Sequence, residues 1–175
     1  MDLRSAIRTI PDYPKPGIMF RDVSTLMADA AAFRSAVTQL ADPWRRADIG
    51  FVAGIEARGF IFGAPVALEL GAGFIPLRKP GKLPYASISE PYALEYGHDE
   101  LHMHADAIPE GASVLLLDDL IATGGTAMAG VKLIRRGGGD LAGCGFIIDL
   151  PELGGAAKLR AEGLAVEALL SFDGH

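Results

Sequence analysis

Val114-Leu115-Leu116-Leu117-Asp118-Asp119-Leu120-Ile121-Ala122-Thr123-Gly124-Gly125-Thr126-Ala127 joins an apolar run to two carboxylates and a glycine turn. Four consecutive apolar residues, Val114 to Leu117, suit a strand of a parallel sheet that is buried on both faces. Gly124 and Gly125 let the backbone turn tightly and expose successive N–H groups. The first turn of a following helix adds unpaired donors and a partial positive charge. The pattern predicts a phosphate site. Asp118 and Asp119 fall at the carboxyl end of the strand, where open α/β sheets hold ligands. They would repel an anion unless they serve sugar hydroxyls or a hydrated Mg²⁺. Sugar diol, phosphate and magnesium together describe an activated sugar phosphate. The plainer alternative is a strand end followed by a helix capped by Thr123 or Thr126.

Outward from this unit, strands and helices alternate. Ile49 to Ile55, Gly73 to Leu77, Leu141 to Asp149 and Val166 to Leu170 read as further strands. Ala28 to Leu40, Gly59 to Leu70, Thr126 to Arg136 and Gly154 to Glu162 read as helices. That alternation predicts an α/β fold with a central parallel sheet and right-handed crossovers. Apolar residues at 3, 6, 7 and 10 predict a helix over Asp2 to Ile10, stopped by Pro11, Pro14 and Pro16. Tyr85 to Met103 is polar and weakly periodic, and reads as a long loop flanked by short strands. A connection that long inside a compact domain suggests a lid.

At 175 residues the chain suits one domain with a well-buried core. A net charge of −6 without a Lys/Arg block argues against nucleic-acid binding. No apolar run reaches the ~18 residues of a membrane span, so no membrane partner is expected. The one cysteine, Cys144, reads as core filling and suits a reducing cytoplasm. His102 and His104 share one strand face but have no third ligand nearby, so a solvated face is expected rather than a metal pair.

Other phosphate and catalytic motifs are absent. Gly81-Lys82 is the only Gly-Lys pair, yet Pro76 and Leu83 occupy the glycine and hydroxyl positions of a P-loop. No dinucleotide glycine fingerprint follows a strand, and there is no nucleophile elbow or His-Glu-x-x-His helix. The basic side chains available to a diphosphate are Arg58, Arg78, Lys79 and Lys82. Charge of that kind strengthens its hold as a leaving group departs.

The Asp118 to Thr126 unit closely resembles the phosphoribosyl-diphosphate loop of the type I phosphoribosyltransferases. Asp12-Tyr13-Pro14-Lys15-Pro16-Gly17-Ile18-Met19-Phe20-Arg21-Asp22 resembles the base-binding hood of their adenine branch. Glu56-Ala57-Arg58-Gly59-Phe60-Ile61-Phe62-Gly63-Ala64-Pro65 resembles its diphosphate loop. Arg78 to Pro84 and Leu94-Glu95-Tyr96-Gly97 resemble the two ends of its flexible loop. The likeness runs from about Pro11 to Gly155. It implies one phosphoribosyltransferase domain over residues 1–175, with a hood over about 1–30 and a lid over about 79–104.

The resemblance also implies roles. Asp118, Asp119, Ala122, Thr123, Gly124, Gly125 and Thr126 would bind the phosphoribose. Ala57, Arg58, Arg78, Lys79 and Lys82 would bind diphosphate, with a non-proline cis peptide at Glu56-Ala57. Ile18, Met19, Phe20 and Arg21 would bind adenine, largely through the backbone. Glu95, Arg58 and Lys82 would carry catalysis, Glu95 acting on the base's proton or closing the lid over it. Mg²⁺ would be held mainly through the donor, with Asp118 and Asp119 the protein groups nearest to it. The implied reactants are adenine and 5-phosphoribosyl 1-diphosphate, the products AMP and diphosphate, and the assembly a cytoplasmic homodimer. Pro91 departs from the small hydroxylic residue more usual in the lid, and the segment after Leu170 matches weakly. Two alternatives accompany this reading. One is the same chemistry on xanthine or guanine. The other is a non-catalytic donor-sensing regulator, which would want a DNA-binding module and a damaged lid, whereas Lys82 and Glu95 are both present.

Overall fold

The computed structural model describes residues 1–94 and 96–174. Its centre is a five-stranded, all-parallel sheet formed by β3 (Phe51–Ile55), β4 (Gly73–Leu77), β7 (Ser113–Ile121), β8 (Asp140–Asp149) and β9 (Val166–Ser171). Their order across the sheet is β4-β3-β7-β8-β9. Leu115 and Leu117 of β7 pack with α2 (Ala30–Ala41) and α3 (Arg58–Leu70) on one face. Val114 and Leu116 pack with α4 (Gly125–Arg136) and α5 (Gly155–Ala161) on the other. Both faces of the strand are covered, so alternation vanishes from the sequence and a continuous apolar run remains. Cys144 is one of these core residues, and burial pushes its thiol up to about 12. No helix among the described residues is long and apolar enough to cross a membrane.

The central elements follow the sequence closely. Asp29 accepts hydrogen bonds from the N–H groups of Ala31 and Ala32 and so starts α2. Gly71, left-handed at φ +65°, ends α3 despite the internal Pro65.

Three expectations change. The Asp2 to Ile10 helix stops after one 3₁₀ turn, Leu3–Ala6, and the chain continues as β1 (Arg8–Pro11). β1 pairs antiparallel with β2 (Met19–Asp22), with Ile10 opposite Phe20. The apolar spacing was compatible with a helix, but the proline-rich return brings a strand partner within reach. The polar Tyr85 to Met103 segment is an antiparallel hairpin, β5 (Ser87–Ala93) with β6 (His98–His104), rather than a loop. Leu101 and Met103 of β6 are fully buried, whereas β5 shows too little burial contrast for a period of two to stand out. Pro91, opposite Glu100, sits in a two-stranded sheet where the missing donor is tolerated. Finally, β7 extends three residues beyond Asp118. β3 stops beside Leu117, but β8 continues to pair as far as Ile121.

A short helix α1 (Ser24–Ala28) follows β2 and leads into α2.

Candidate active site

The one-sided end of β7 creates the site. With no strand beside Asp118 on the β3 side, the first turn of α3 moves in. It can do so because residue 59 is glycine. A Cβ there would lie 3.1 Å from Asp118 Oδ1 and 3.1 Å from the Leu117 carbonyl. Arg58, the first residue of α3, then donates from Nε to Asp119 Oδ2 at 2.5 Å. Asp119 beside it raises the pKa of the guanidinium above the ordinary arginine range. Among the described residues no cation forms an ion pair with Asp118. Burial, followed by the charge of Asp119, raises its carboxyl well above the usual carboxylate range. Its Oδ1 accepts the N–H of Asp119 at 2.9 Å.

The loop after β7 is shaped by a contact between glycines. Gly124 caps α4 at φ +89°, and a Cβ on it would lie 2.8 Å from Gly155 Cα. Gly155 donates to the Ala122 carbonyl at 3.0 Å, and Lys158 Nζ donates to that of Thr123 at 3.1 Å. No side chain caps α4 among the described residues, so neither Thr123 nor Thr126 is the cap. The helix's first N–H groups instead face a cavity of about 160 Å³ lined by Asp118, Leu120 and residues 121–127.

A second cavity, of about 290 Å³, is lined by residues 18–21 of the hood, by Leu120 and Leu150, and by the charged Arg58, Asp118 and Asp119. The two cavities share Asp118 and Leu120. Leu120 and Leu150 were missed by the sequence reading. Leu120 hides in the apolar flank of the motif, and Leu150 follows β8 with no local signal at all.

The remaining residues are distributed as follows. Ala57 is the residue before α3, after a cis Glu56-Ala57 peptide. Arg78 turns its Nε to Glu56 at 3.0 Å, beside that loop. Lys79 points to the hairpin, donating to Tyr92 Oη and to Asp99 Oδ2, the latter at 2.7 Å. Burial opposes its charge, but these two partners raise its pKa. Lys82 is exposed. None of Arg78, Lys79 and Lys82 lines either cavity. Glu95 lies outside the described residues. The strand leading to it brings the Ala93 carbonyl within 3.6 Å of where a Gly125 Cβ would stand. Tyr96 is 82% exposed.

His102 and His104 are half-buried, not solvated. The Nε2 atoms of both are enclosed without a hydrogen-bond partner among the described residues.

A helix N-terminus, a carboxylate pair and a second cavity lined by Leu120 and Leu150 meet at the carboxyl end of the parallel sheet. Residues 27–158 match the family described as "Phosphoribosyl transferase domain", and the chain belongs to the phosphoribosyltransferase family. Its full-length relatives place it in the adenine branch. It is 60% identical to a protein named adenine phosphoribosyltransferase from Bradyrhizobium sp. (strain ORS 278), over all of this chain and 98% of the relative. Among solved structures, adenine phosphoribosyltransferase from Rhodothermus marinus DSM 4252 is 47% identical with a TM-score of 0.90, over 97% of this chain and 96% of the other. The Saccharomyces cerevisiae enzyme, solved with an imino-altritol bisphosphate and adenine, is 35% identical with a TM-score of 0.90, over 97% of each chain.

Proposed function

We propose that this chain transfers the 5-phosphoribosyl group of 5-phosphoribosyl 1-diphosphate to N9 of adenine, releasing AMP and diphosphate. The observation that carries this reading is the pair of cavities joined at Asp118. A ligand with a phosphate at one end and a flat base at the other would span them, its ribose at the carboxylates. The 5-phosphate is assigned to the N–H groups from Ala122 to Thr126, and the diol to Asp118 and Asp119. The base is assigned to the slot between Phe20 and the leucine pair, with the backbone of residues 18–21 at its edge. Adenine bound to the yeast relative supports that choice.

Hard oxygen ligands suit Mg²⁺, which commonly binds through one or two carboxylates plus substrate phosphates. Asp118 fits that role better than Asp119, because Asp119 already accepts from Arg58. The ion would neutralise the donor's diphosphate. Arg58, Arg78, Lys79 and Lys82 are read as the cationic side chains that hold the diphosphate as the C1–O bond breaks. Lys79 would have to exchange its partners on the hairpin to do so. Glu95 is read as the group that takes up the base's N9 proton or hydrogen-bonds its N7, carried into place by the hairpin. A closed lid would keep water from the oxocarbenium-like transition state.

We read residues 1–175 as one domain with a hood over about 1–30 and a lid over 79–104, working as a cytoplasmic homodimer. The buried, unpaired Cys144 suits a reducing compartment. The test is to incubate the protein with donor, Mg²⁺ and each purine base in turn, following nucleotide formation. AMP is expected from adenine, and none once EDTA removes the metal. Product from an oxopurine but not from adenine would overturn the base assignment. Donor binding without turnover of any base would favour a regulator.

A further inference from the structure

Phe172 follows β9, in the part of the chain where the sequence offered no role. Its ring is buried and two guanidinium groups approach it. Arg4 Cζ is 4.3 Å and Arg21 Cζ 4.4 Å from its centroid. Both cations approach one ring, and each belongs to the N-terminal segment. The ring itself is fixed from the sheet, because Phe172 N–H donates to the Asp149 carbonyl at 3.1 Å. Arg4 adds a second tie by donating from Nη2 to the Ser171 carbonyl at 2.7 Å. Among the described residues Arg21 otherwise donates to Thr9 Oγ1, at 2.7 Å on the paired strand β1. Its Nε is enclosed and has no hydrogen-bond partner among the described residues.

We infer that Phe172 is a positioning residue for base binding, holding the hood strand Met19–Asp22 at a fixed distance from Leu120 and Leu150 through the stacked Arg21 guanidinium. β1 and β2 form a two-stranded sheet separate from the central one. Such a unit is marginal alone and depends on packing for its placement. Arg21 lines the base cavity, and the Phe172 contact ties it to the main sheet. Cation–π contacts of this kind weaken when the ring loses its π-face and survive in tyrosine. The inference rests on the base-binding reading above.

Its test compares Phe172→Leu, Phe172→Tyr and wild type in steady-state kinetics, with whichever purine base wild type turns over. Hydrogen exchange at the amides of residues 18–22 is measured alongside. The leucine keeps an apolar body at the position and so guards against simple unfolding, which a thermal melt checks. Phe172→Leu is expected to raise KM for the base about five- to tenfold. KM for the donor and kcat should stay within about twofold, and hood amides should exchange several-fold faster. Phe172→Tyr should restore both readouts. Unchanged base KM together with unchanged hood exchange would overturn the inference. So would an equal loss in all kinetic parameters that tyrosine does not rescue. Because the exchange measurement needs no substrate, it separates failure of this inference from failure of the base assignment.

Discussion

Gly124→Ala tests whether the phosphate loop is built by backbone contact. Alanine at φ +89° costs about 1–2 kcal/mol in the left-handed region. Its Cβ would also meet Gly155 Cα at 2.8 Å, closer than nonbonded carbons approach, and the loop cannot simply yield. Gly155 is itself held, donating to the Ala122 carbonyl. Relieving that overlap should cost about 1–3 kcal/mol, as overpacking in a core does. The sum is about 2–5 kcal/mol. For a chain of this size each kcal/mol lowers Tm by about 2–4 °C, so a fall of roughly 4–20 °C is expected. Gly163→Ala is the control. It has φ +83° with nothing within 4 Å of the added Cβ, so only the conformational cost applies. Differential scanning calorimetry of both variants isolates the packing contribution, and donor binding should weaken in Gly124→Ala alone. Equal Tm losses in the two variants would refute the reasoning, as would an intact donor affinity in Gly124→Ala.

Two carboxylates should respond to pH with opposite signs. Asp22, held by Ser24 and then by Arg8, is lowered to about 2 from 3.8, so it stabilises the fold above pH 3.8 and loses that contribution as pH falls through about 2. Asp22→Asn should therefore lower Tm at pH 6 by the equivalent of about 1–2 kcal/mol and have little effect near pH 2, where acid melts of the two proteins should converge. Asp118 is raised, so its contribution is present below the ordinary carboxylate range and lost as pH rises through its folded value. Asp118→Asn should consequently raise the Tm of the unliganded protein at pH 7–8 while abolishing turnover, and a lower Tm there would contradict the assignment. Arg58 is about half exposed, so a double-mutant cycle of Arg58→Ala with Asp119→Asn should give only about 1 kcal/mol of coupling in stability. The same Arg58→Ala change should cost about 10²-fold in kcat/KM for the donor, and Arg58→Lys should not restore it. Asp99→Asn should release Lys79 from the hairpin, seen as up to about fivefold faster amide exchange over β5 and β6. Unaltered exchange would show that the tie does not hold the lid.

The sequence was legible where one local cause decides the structure. Val114 to Leu117 could be read as a buried strand because both faces are covered, and Gly71 marked a helix end because it takes a left-handed angle. It was misleading where a distant partner decides. Nothing within Arg8–Pro11 requires a strand until Met19–Asp22 lies beside it. The hairpin was hidden for a related reason. Its buried residues on β6, Leu101 and Met103, alternate with histidines whose half-burial blurs the contrast. The loop proposed for the phosphate was visible as glycines and carboxylates within ten residues. Leu150 and Phe172 were invisible because their contacts arise only from the folding of β8 and β9 against the N-terminal segment.

This difference bears on how such a scaffold can choose its base. The loop proposed for the sugar phosphate is constrained by residue type, since a Cβ at 124 would meet Gly155 Cα at 2.8 Å. The groups proposed for the base edge are backbone donors and acceptors, which every residue but proline presents alike. A slot of this kind discriminates by leaving polar atoms unpaired when the wrong edge enters, and that penalty exists only if the strand is held at one distance. Ile18 and Met19 can then vary in side chain without changing the hydrogen-bonding pattern, whereas Arg21, stacked on Phe172, cannot. We infer that the guanidinium of Arg21 on Phe172 sets that height, while Ile10 opposite Phe20 and Arg8 on Asp22 hold β2 to β1 within the hood. Loosening any of the three should erode discrimination between purines before it erodes phosphate binding. Their variants should therefore show rising oxopurine turnover relative to adenine at unchanged donor KM.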